Sequence, residues 1–261
     1  MMTATDFYRR VIQITNASGV AVLVAGALAF RQYTGIVRRT KDLDLILRRQ
    51  DMEALRAALQ REGFRTEIVS SHWLGKVWHG RLFVDLIFGL GNGVTRITDD
   101  WFLRSVRGRI FDEPVMLCGI EHMIWSKCYV MERERFDGAD VAHLIRYCSD
   151  RLDWKDLLYL FGDHWQLLYS HLIHFTFTYS DWQDYIPVWV MDEMRERLAC
   201  LRGLSAPGRV CRGTLVSRAQ YLHDVNGRYA DARLQPAGGM TAAQIAAWTA
   251  AIAVDGDVDL V

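Results

Sequence analysis

The 261-residue chain is poor in several things that would narrow its class at once. It has five cysteines, Cys118, Cys128, Cys148, Cys200 and Cys211, an odd number with no C-x-x-C pair. That argues against a disulfide framework and a zinc knuckle, and reduced thiols in a cytoplasm fit. The longest apolar run, residues 17–30, falls short of the ~20 residues that span a bilayer. Arg9 and Arg10 precede it, as in a signal peptide, but the polar stretch 13–16 intervenes, so neither secretion nor a membrane is expected. Net charge is also missing: 31 Lys+Arg face 31 Asp+Glu. Repeats and low-complexity tracts are absent, and 51 % apolar with 24 % charged residues is an ordinary globular composition.

The neutral total conceals an asymmetry. Residues 1–110 carry 17 Lys+Arg and 10 Asp+Glu, and residues 111–261 carry 14 and 21. A basic front half suits a polyanionic ligand such as a nucleoside triphosphate or RNA. Two solvated faces of opposite sign that dock on each other would read the same way.

Spacing divides the chain near residue 118. In front, helical periodicity covers 5–17, 27–33 and 52–62, with Asp51 as cap and Gly63 as stop. Strand patterns cover 20–24, 43–47, 64–69, 74–79, 82–88 and one segment within 109–117. Behind, helical spacing covers 120–131, 140–148, 154–169, 191–201 and 241–253, with a linker at 204–208 and an acidic tail. The expectation is an α+β protein: a small mixed sheet with flanking helices over 1–118, then a mainly helical domain over 119–261.

The chemistry concentrates in three places. Asp42 and Asp44 alternate along a strand, so both carboxylates face one way. Two like charges side by side call for a cation between them, and Mg²⁺, which takes oxygen ligands, suits the pair. Asp85 lies within Leu82-Phe83-Val84-Asp85-Leu86-Ile87-Phe88, where a charge is costly unless paired or metal-bound. If the two strands are neighbours, three carboxylates converge, as two-metal phosphoryl or nucleotidyl transfer requires. Upstream, a strand breaks at Gly26 into a helix, which offers backbone N–H groups to phosphate, and Arg38, Arg39 and Lys41 add positive charge. It is not a Walker loop, since no Gly-Lys-Ser/Thr follows.

Gly26-Ala27, Arg38-x-Thr40-Lys41-Asp42-Leu43-Asp44 and Val84-Asp85-Leu86 together resemble the DNA-polymerase-β-type nucleotidyltransferase superfamily, and most nearly its small bacterial members of the AbiEii and MenT toxin type. The resemblance spans about residues 20–145. It implies a minimal mixed-sheet core, an NTP substrate and Mg²⁺, two ions, with Mn²⁺ as an alternative. It makes Asp42 and Asp44 shared metal ligands and Asp85 the third carboxylate, ligand or base, and sets Gly26 and Ala27 against the triphosphate, with Arg38, Thr40 and Lys41 beside it. It extends to Lys127 and Arg135-x-Asp137-x-x-Asp140, making Lys127 a triphosphate contact supported by Asp137 and Asp140. Read for themselves, Lys127 is equally a solvated helix residue, and Asp137 and Asp140 equally caps of a helix starting near Ala139.

The family usually carries Gly-Gly or Gly-Ser at the turn, whereas this chain has Ala25-Gly26-Ala27 and so lacks a hydroxyl there. Two readings therefore stand: transfer of an NMP to an acceptor hydroxyl with release of pyrophosphate, or a silent nucleotide- or RNA-binding module of the same fold. The acceptor is tRNA, a protein side chain or a small molecule such as an antibiotic, and an antitoxin partner is a further expectation.

Elsewhere the plainer reading leads. His171 and His174 have helical spacing but no third ligand beside them, and His72 and His79 read as strand or loop residues. Residues 154–189 hold 11 of the 30 aromatics, read first as helix packing and second as a base-stacking wall.

Overall fold

The computed structural model describes residues 2–38, 40–202 and 208–255. Arg39 of the basic cluster, residues 204–207 of the expected linker and the acidic tail beyond 255 lie outside the described residues. The chain forms two compact units, Met1–Gly119 with Gly238–Ala251, and Ile120–Ala237 with Ile252–Val261.

The first unit begins with α1 (Ala4–Ser18), started by a capping box in which the side chains of Thr3 and Asp6 each accept from the other's backbone N–H. Its buried stripe is Phe7, Tyr8, Val11, Ile12, Ile14 and Thr15, the i, i+3, i+4 spacing of an amphipathic helix. There follow β1 (Leu23–Val24), α2 (Gly26–Thr34), β2 (Asp44–Ile46), α3 (Met52–Arg61), β3 (Arg65–Ser70), β4 (Leu74–His79), β5 (Leu82–Ile87), α4 (Asp99–Leu103), β6 (Val106–Ile110) and β7 (Glu113–Leu117). The strands form one mixed seven-stranded sheet in the order β3-β4-β5-β2-β1-β7-β6. β2 runs parallel to β5, β1 parallel to β7, and the other pairs are antiparallel. Leu43, Leu45, Leu47, Val77, Val84 and Leu86 are all but fully buried, and α1 packs against β5, β7 and α3.

Where one strand was expected within 109–117 there is a hairpin, β6–β7. Its turn residues, Phe111 and Asp112, both have positive φ (51° and 66°). That is the handedness a two-residue hairpin turn needs, achieved here without the Asn-Gly or Gly-Gly that marks such turns in a sequence. Residues 238–251 also belong to this unit. The Trp248 ring meets Trp73 edge-on at 5.2 Å between centroids, and Met240 is fully buried over Gly93.

The second unit carries α5 (Ile120–Cys128), α6 (Gly138–Cys148), α7 (Trp154–Phe161), α8 (Trp165–Thr178), α9 (Val188–Cys200), the short strands β8 (Val210–Cys211) and β9 (Ala230–Asp231) and α10 (Leu222–Val225), whereas α11 (Ala242–Asp255) begins in the first unit. α5 packs on α6, α7 and α8, and α8 packs on α6, α7 and α9. The periodicity over 154–169 conceals a break. Gly162 ends α7 at φ 44°, a 3₁₀ turn follows, and α8 starts afresh at Trp165. Trp154, Phe161, Trp165 and Phe175 are buried between helices, which fits packing, whereas Tyr159 and Phe177 lie largely in solvent. No helix is long and apolar enough to cross a membrane among the described residues.

Candidate active site

The centre of the sheet brings the expected carboxylates together. In the parallel β2–β5 ladder, Asp44 is the register partner of Asp85. The Asp85 amide donates to Leu43 O (2.9 Å), which ties β5 to the segment between the other two aspartates. Asp42 sits two residues before Asp44 and so on the same face. One oxygen of each of Asp42, Asp44 and Asp85 lies within 4.8 Å of the others, and all three residues are half-buried. The alternate residues Leu43, Leu45, Val84 and Leu86 point into the core. The pleat therefore puts the charges on one side and the apolar ballast on the other.

Neighbours fix each carboxylate. The Thr40 hydroxyl donates to Asp42 Oδ1 (2.8 Å). Tyr8, from α1, donates to Lys41 O (2.8 Å) and so anchors the approach to β2. The Ala25 amide donates to Asp44 O (2.9 Å), which sets the start of α2 beside Asp44. Gly26 has φ 59°, and a Cβ at this position would overlap Asp44 Oδ2. Glycine is therefore required twice, for the left-handed backbone and for the space the carboxylate takes. Ala25 supplies no side-chain cap to α2, and the Asp44 carboxylate lies against the helix's first residue, where negative charge is favoured. Ala27 is half-buried in that turn, whereas Arg38 and Lys41 are exposed, with the Arg38 guanidinium 4.6 Å from the centroid of the Phe30 ring.

The electrostatics reflect burial first and neighbouring negative charge second. Burial pushes the Asp85 carboxyl up, Lys76 pulls it down and Asp42 pushes it up again; the net is above the usual carboxylate range. The Tyr8 phenol is also raised, first by burial and then by Asp42 and Asp85. Hard oxygen ligands, half-buried, with like charges close together, fit a divalent cation of the Mg²⁺ or Mn²⁺ kind.

One residue of this site was not foreseen from sequence. Lys76 on β4 is the antiparallel partner of Asp85, and its Nζ lies 2.7 Å from Asp85 Oδ1. The ammonium also sits 3.7 Å from the centroid of the Phe83 ring.

Lys127, Asp137 and Asp140 come together with one another in the second unit. Lys127 Nζ donates to Asp137 Oδ2 (3.0 Å) and Asp140 Oδ2 (2.6 Å), and Arg135 holds Asp137 through Nε and Nη2 (both 2.9 Å). Burial pushes Asp137 up, but Arg135 and Lys127 outweigh it and hold the carboxyl below its ordinary value. Asp137 occupies the N-cap position of α6 without making a side-chain cap bond, because its oxygens are turned to these cations. Nearby, His171 is buried, donates from Nε2 to Cys128 O (3.2 Å) and stacks on Phe136. Burial pushes its imidazole down to about 4. It is a neutral core histidine, as its lack of a third ligand suggested.

No known family's sequence profile matches the chain, and no curated protein is similar to it in sequence. Solved structures are similar in fold. The chain is similar to the antibiotic-resistance factor ANT(2'')-Ia over 67 % of its own length and 97 % of that chain, at 16 % identity and a TM-score of 0.44. It is similar to an antigenic nucleotidyltransferase-like protein from Paracoccidioides brasiliensis over 70 % and 91 %, at 16 % identity and 0.46. The lincosamide antibiotic adenylyltransferase LnuA is matched over 52 % and 93 %, at 14 % identity and 0.40.

Proposed function

We propose that the protein is a divalent-metal-dependent nucleotidyltransferase, which moves an NMP from an NTP to an acceptor hydroxyl and releases pyrophosphate. The observation that carries this reading is the convergence of Asp42, Asp44 and Asp85 beside the start of α2 at Gly26. Asp42 and Asp44 would hold the ion, and Asp85 completes the trio as a ligand or as proton acceptor. When bound, Mg²⁺ neutralises phosphate charge and acidifies an oxygen in contact with it. The chain's own residues do the rest. Thr40 aims the Asp42 carboxylate, the first-turn amides of α2 at Gly26 and Ala27 lie against phosphate oxygens, and Arg38 and Lys41 draw the triphosphate in. The acceptor oxygen bonds to the α-phosphorus, the bond to pyrophosphate breaks, and the hydroxyl proton passes to Asp85.

Lys127 falls outside this assignment. Its ammonium is already engaged by Asp137 and Asp140, and we read all three as a structural ion network.

The test is incubation with labelled NTPs and Mg²⁺, run with tRNA, protein and aminoglycoside acceptors. Pyrophosphate release that Asp44→Ala abolishes supports the proposal, and equal release from both proteins removes it. Labelling of tRNA, with toxicity on expression that a co-expressed neighbour relieves, would select the toxin-type acceptor and an antitoxin partner. Nucleotide affinity that ignores Mg²⁺, with no pyrophosphate released, would identify a silent binding module, the alternative that the missing hydroxyl at Ala25-Gly26-Ala27 leaves open.

A further inference from the structure

We propose that Trp78 and Phe83 form a stacking platform for a base of the acceptor, which makes the acceptor a single-stranded RNA; this rests on the nucleotidyltransferase reading above and chooses among its acceptors. Phe83 stands two residues before Asp85 on β5 and so on the same face of the sheet. Trp78 is the register partner of Phe83, as Lys76 is of Asp85. The two ring centroids are 5.3 Å apart, and both residues are only half-buried. The opposite face of the same strands is the core, where Val77, Val84 and Leu86 are fully buried. The rings therefore lie among the charges of the site face. Trp78 Nε1 is shielded and makes no hydrogen bond among the described residues, although a buried indole donor usually has one.

Position and charge select the ligand. In the sheet order β3-β4-β5-β2-β1, Trp78 lies on one side of the trio, and β1, which leads into Gly26, lies on the other. The triphosphate is assigned to the Gly26 side. In-line displacement brings the acceptor from the side opposite the leaving pyrophosphate, which is the side of the rings. Cations line that side. Lys76 Nζ is 3.7 Å from the Phe83 centroid and 5.7 Å from that of Trp78, and the Arg65 guanidinium is 5.3 Å from the Trp78 centroid. Lys76 is tied to Asp85. Arg65 is 70 % exposed and makes a 3.7 Å surface contact with Glu67, a kind of pair that constrains a side chain little. Its guanidinium can therefore cover a base resting on the indole and meet the adjoining phosphate. A polycationic acceptor such as an aminoglycoside is repelled by the same two cations.

The experiment measures binding of a fluorescein-labelled single-stranded oligoribonucleotide to the full chain by anisotropy, alongside Mn²⁺ binding by electron paramagnetic resonance. We expect Trp78→Leu to weaken RNA binding about tenfold and Trp78→Phe, which keeps a ring, to weaken it about twofold. Arg65→Glu should also weaken it about tenfold and flatten its salt dependence. Mn²⁺ binding should persist in all three, which shows that the sheet has kept its register. If Trp78→Leu loses Mn²⁺ as well, Arg65→Glu decides, because that side chain is exposed. RNA that fails to bind the wild type, or binds all the variants equally, overturns the proposal. So does displacement of the RNA by NTP, which would give the rings to the incoming nucleotide. The reading on which the proposal rests fails separately: if Asp44→Asn binds Mn²⁺ as the wild type does, the trio is not the ion site, whatever the RNA measurements show.

Discussion

Each unit gathers aspartates around a lysine, and the two gatherings are built in opposite ways. In the second unit, Asp137 and Asp140 converge on Lys127, and Arg135 closes the other side of Asp137. The acids meet a cation that the chain itself provides. In the first unit, Asp42, Asp44 and Asp85 converge on one another, and Lys76 touches Asp85. The direction of the pKa shift follows the construction: Asp137 is held below the usual range, whereas Asp85 is held above it. Asp137 is lowered by the cations Arg135 and Lys127, which ties that cluster to the fold. Asp85 is raised chiefly by burial, with a smaller push from Asp42, and an incoming cation would offset both.

The largest effect that would break this contrast is in the second unit. Lys127→Met leaves Asp137 to Arg135 and takes the ammonium from the shielded Asp140, and we expect a loss of about 3 kcal/mol in urea unfolding. A loss below about 1 kcal/mol would mean that the network is not structural. Next comes pH. His171 has a folded value of about 4 against an ordinary 6.5, so it is neutral in the fold and charges more readily when unfolded. Its contribution is therefore complete above pH 6.5 and fades as pH falls towards 4, by about 3 kcal/mol in all. Asp137, lowered in the fold, adds a loss at lower pH in the same direction. Unfolding free energy measured from pH 7 to 4 should show this slope, and His171→Leu should flatten its upper part.

In the first unit, Gly26→Ala imposes a Cβ where φ is 59° and where Asp44 Oδ2 lies. The backbone penalty is about 1–2 kcal/mol, and Mn²⁺ affinity should fall with it as Asp44 is pushed aside. A variant that binds Mn²⁺ normally would sever the glycine from the site. The smallest effect has the opposite sign. With chelator present, Asp42→Asn should stabilise the fold by up to about 1 kcal/mol, because it removes like-charge repulsion and keeps an oxygen for Thr40. The equivalent change at Asp140 should destabilise.

Much of this was legible in the residues themselves. Period-two alternation around Asp42, Asp44 and Asp85 announced two buried strands with charges on one face, and the Gly26 break marked the start of α2. The pairing of those strands was a supposition, since register between segments some 40 residues apart leaves no local signature. Lys76 was missed for the same reason: one lysine within Leu74–His79 looks like an ordinary strand residue until Asp85 is found across from it. The β6–β7 turn was hidden because Phe111 and Asp112 take positive φ without glycine. The break at Gly162 was hidden by helical spacing that continues through it. Nor does composition reveal that residues 238–251 join the first unit; that follows from where the Trp248 ring finds Trp73.

The parallel pairing of Asp44 with Asp85 has one more consequence. Because side chains alternate, threading β5 one residue out of step would turn Asp85 into the interior and bring Val84 or Leu86 out beside Asp44. On the proposed reading, ion uptake thereby becomes a proofreading signal for folding. A misthreaded chain could still collapse and gain helix, yet it would stay blind to Mn²⁺. Following metal capture during refolding would time the moment at which these two strands lock into step.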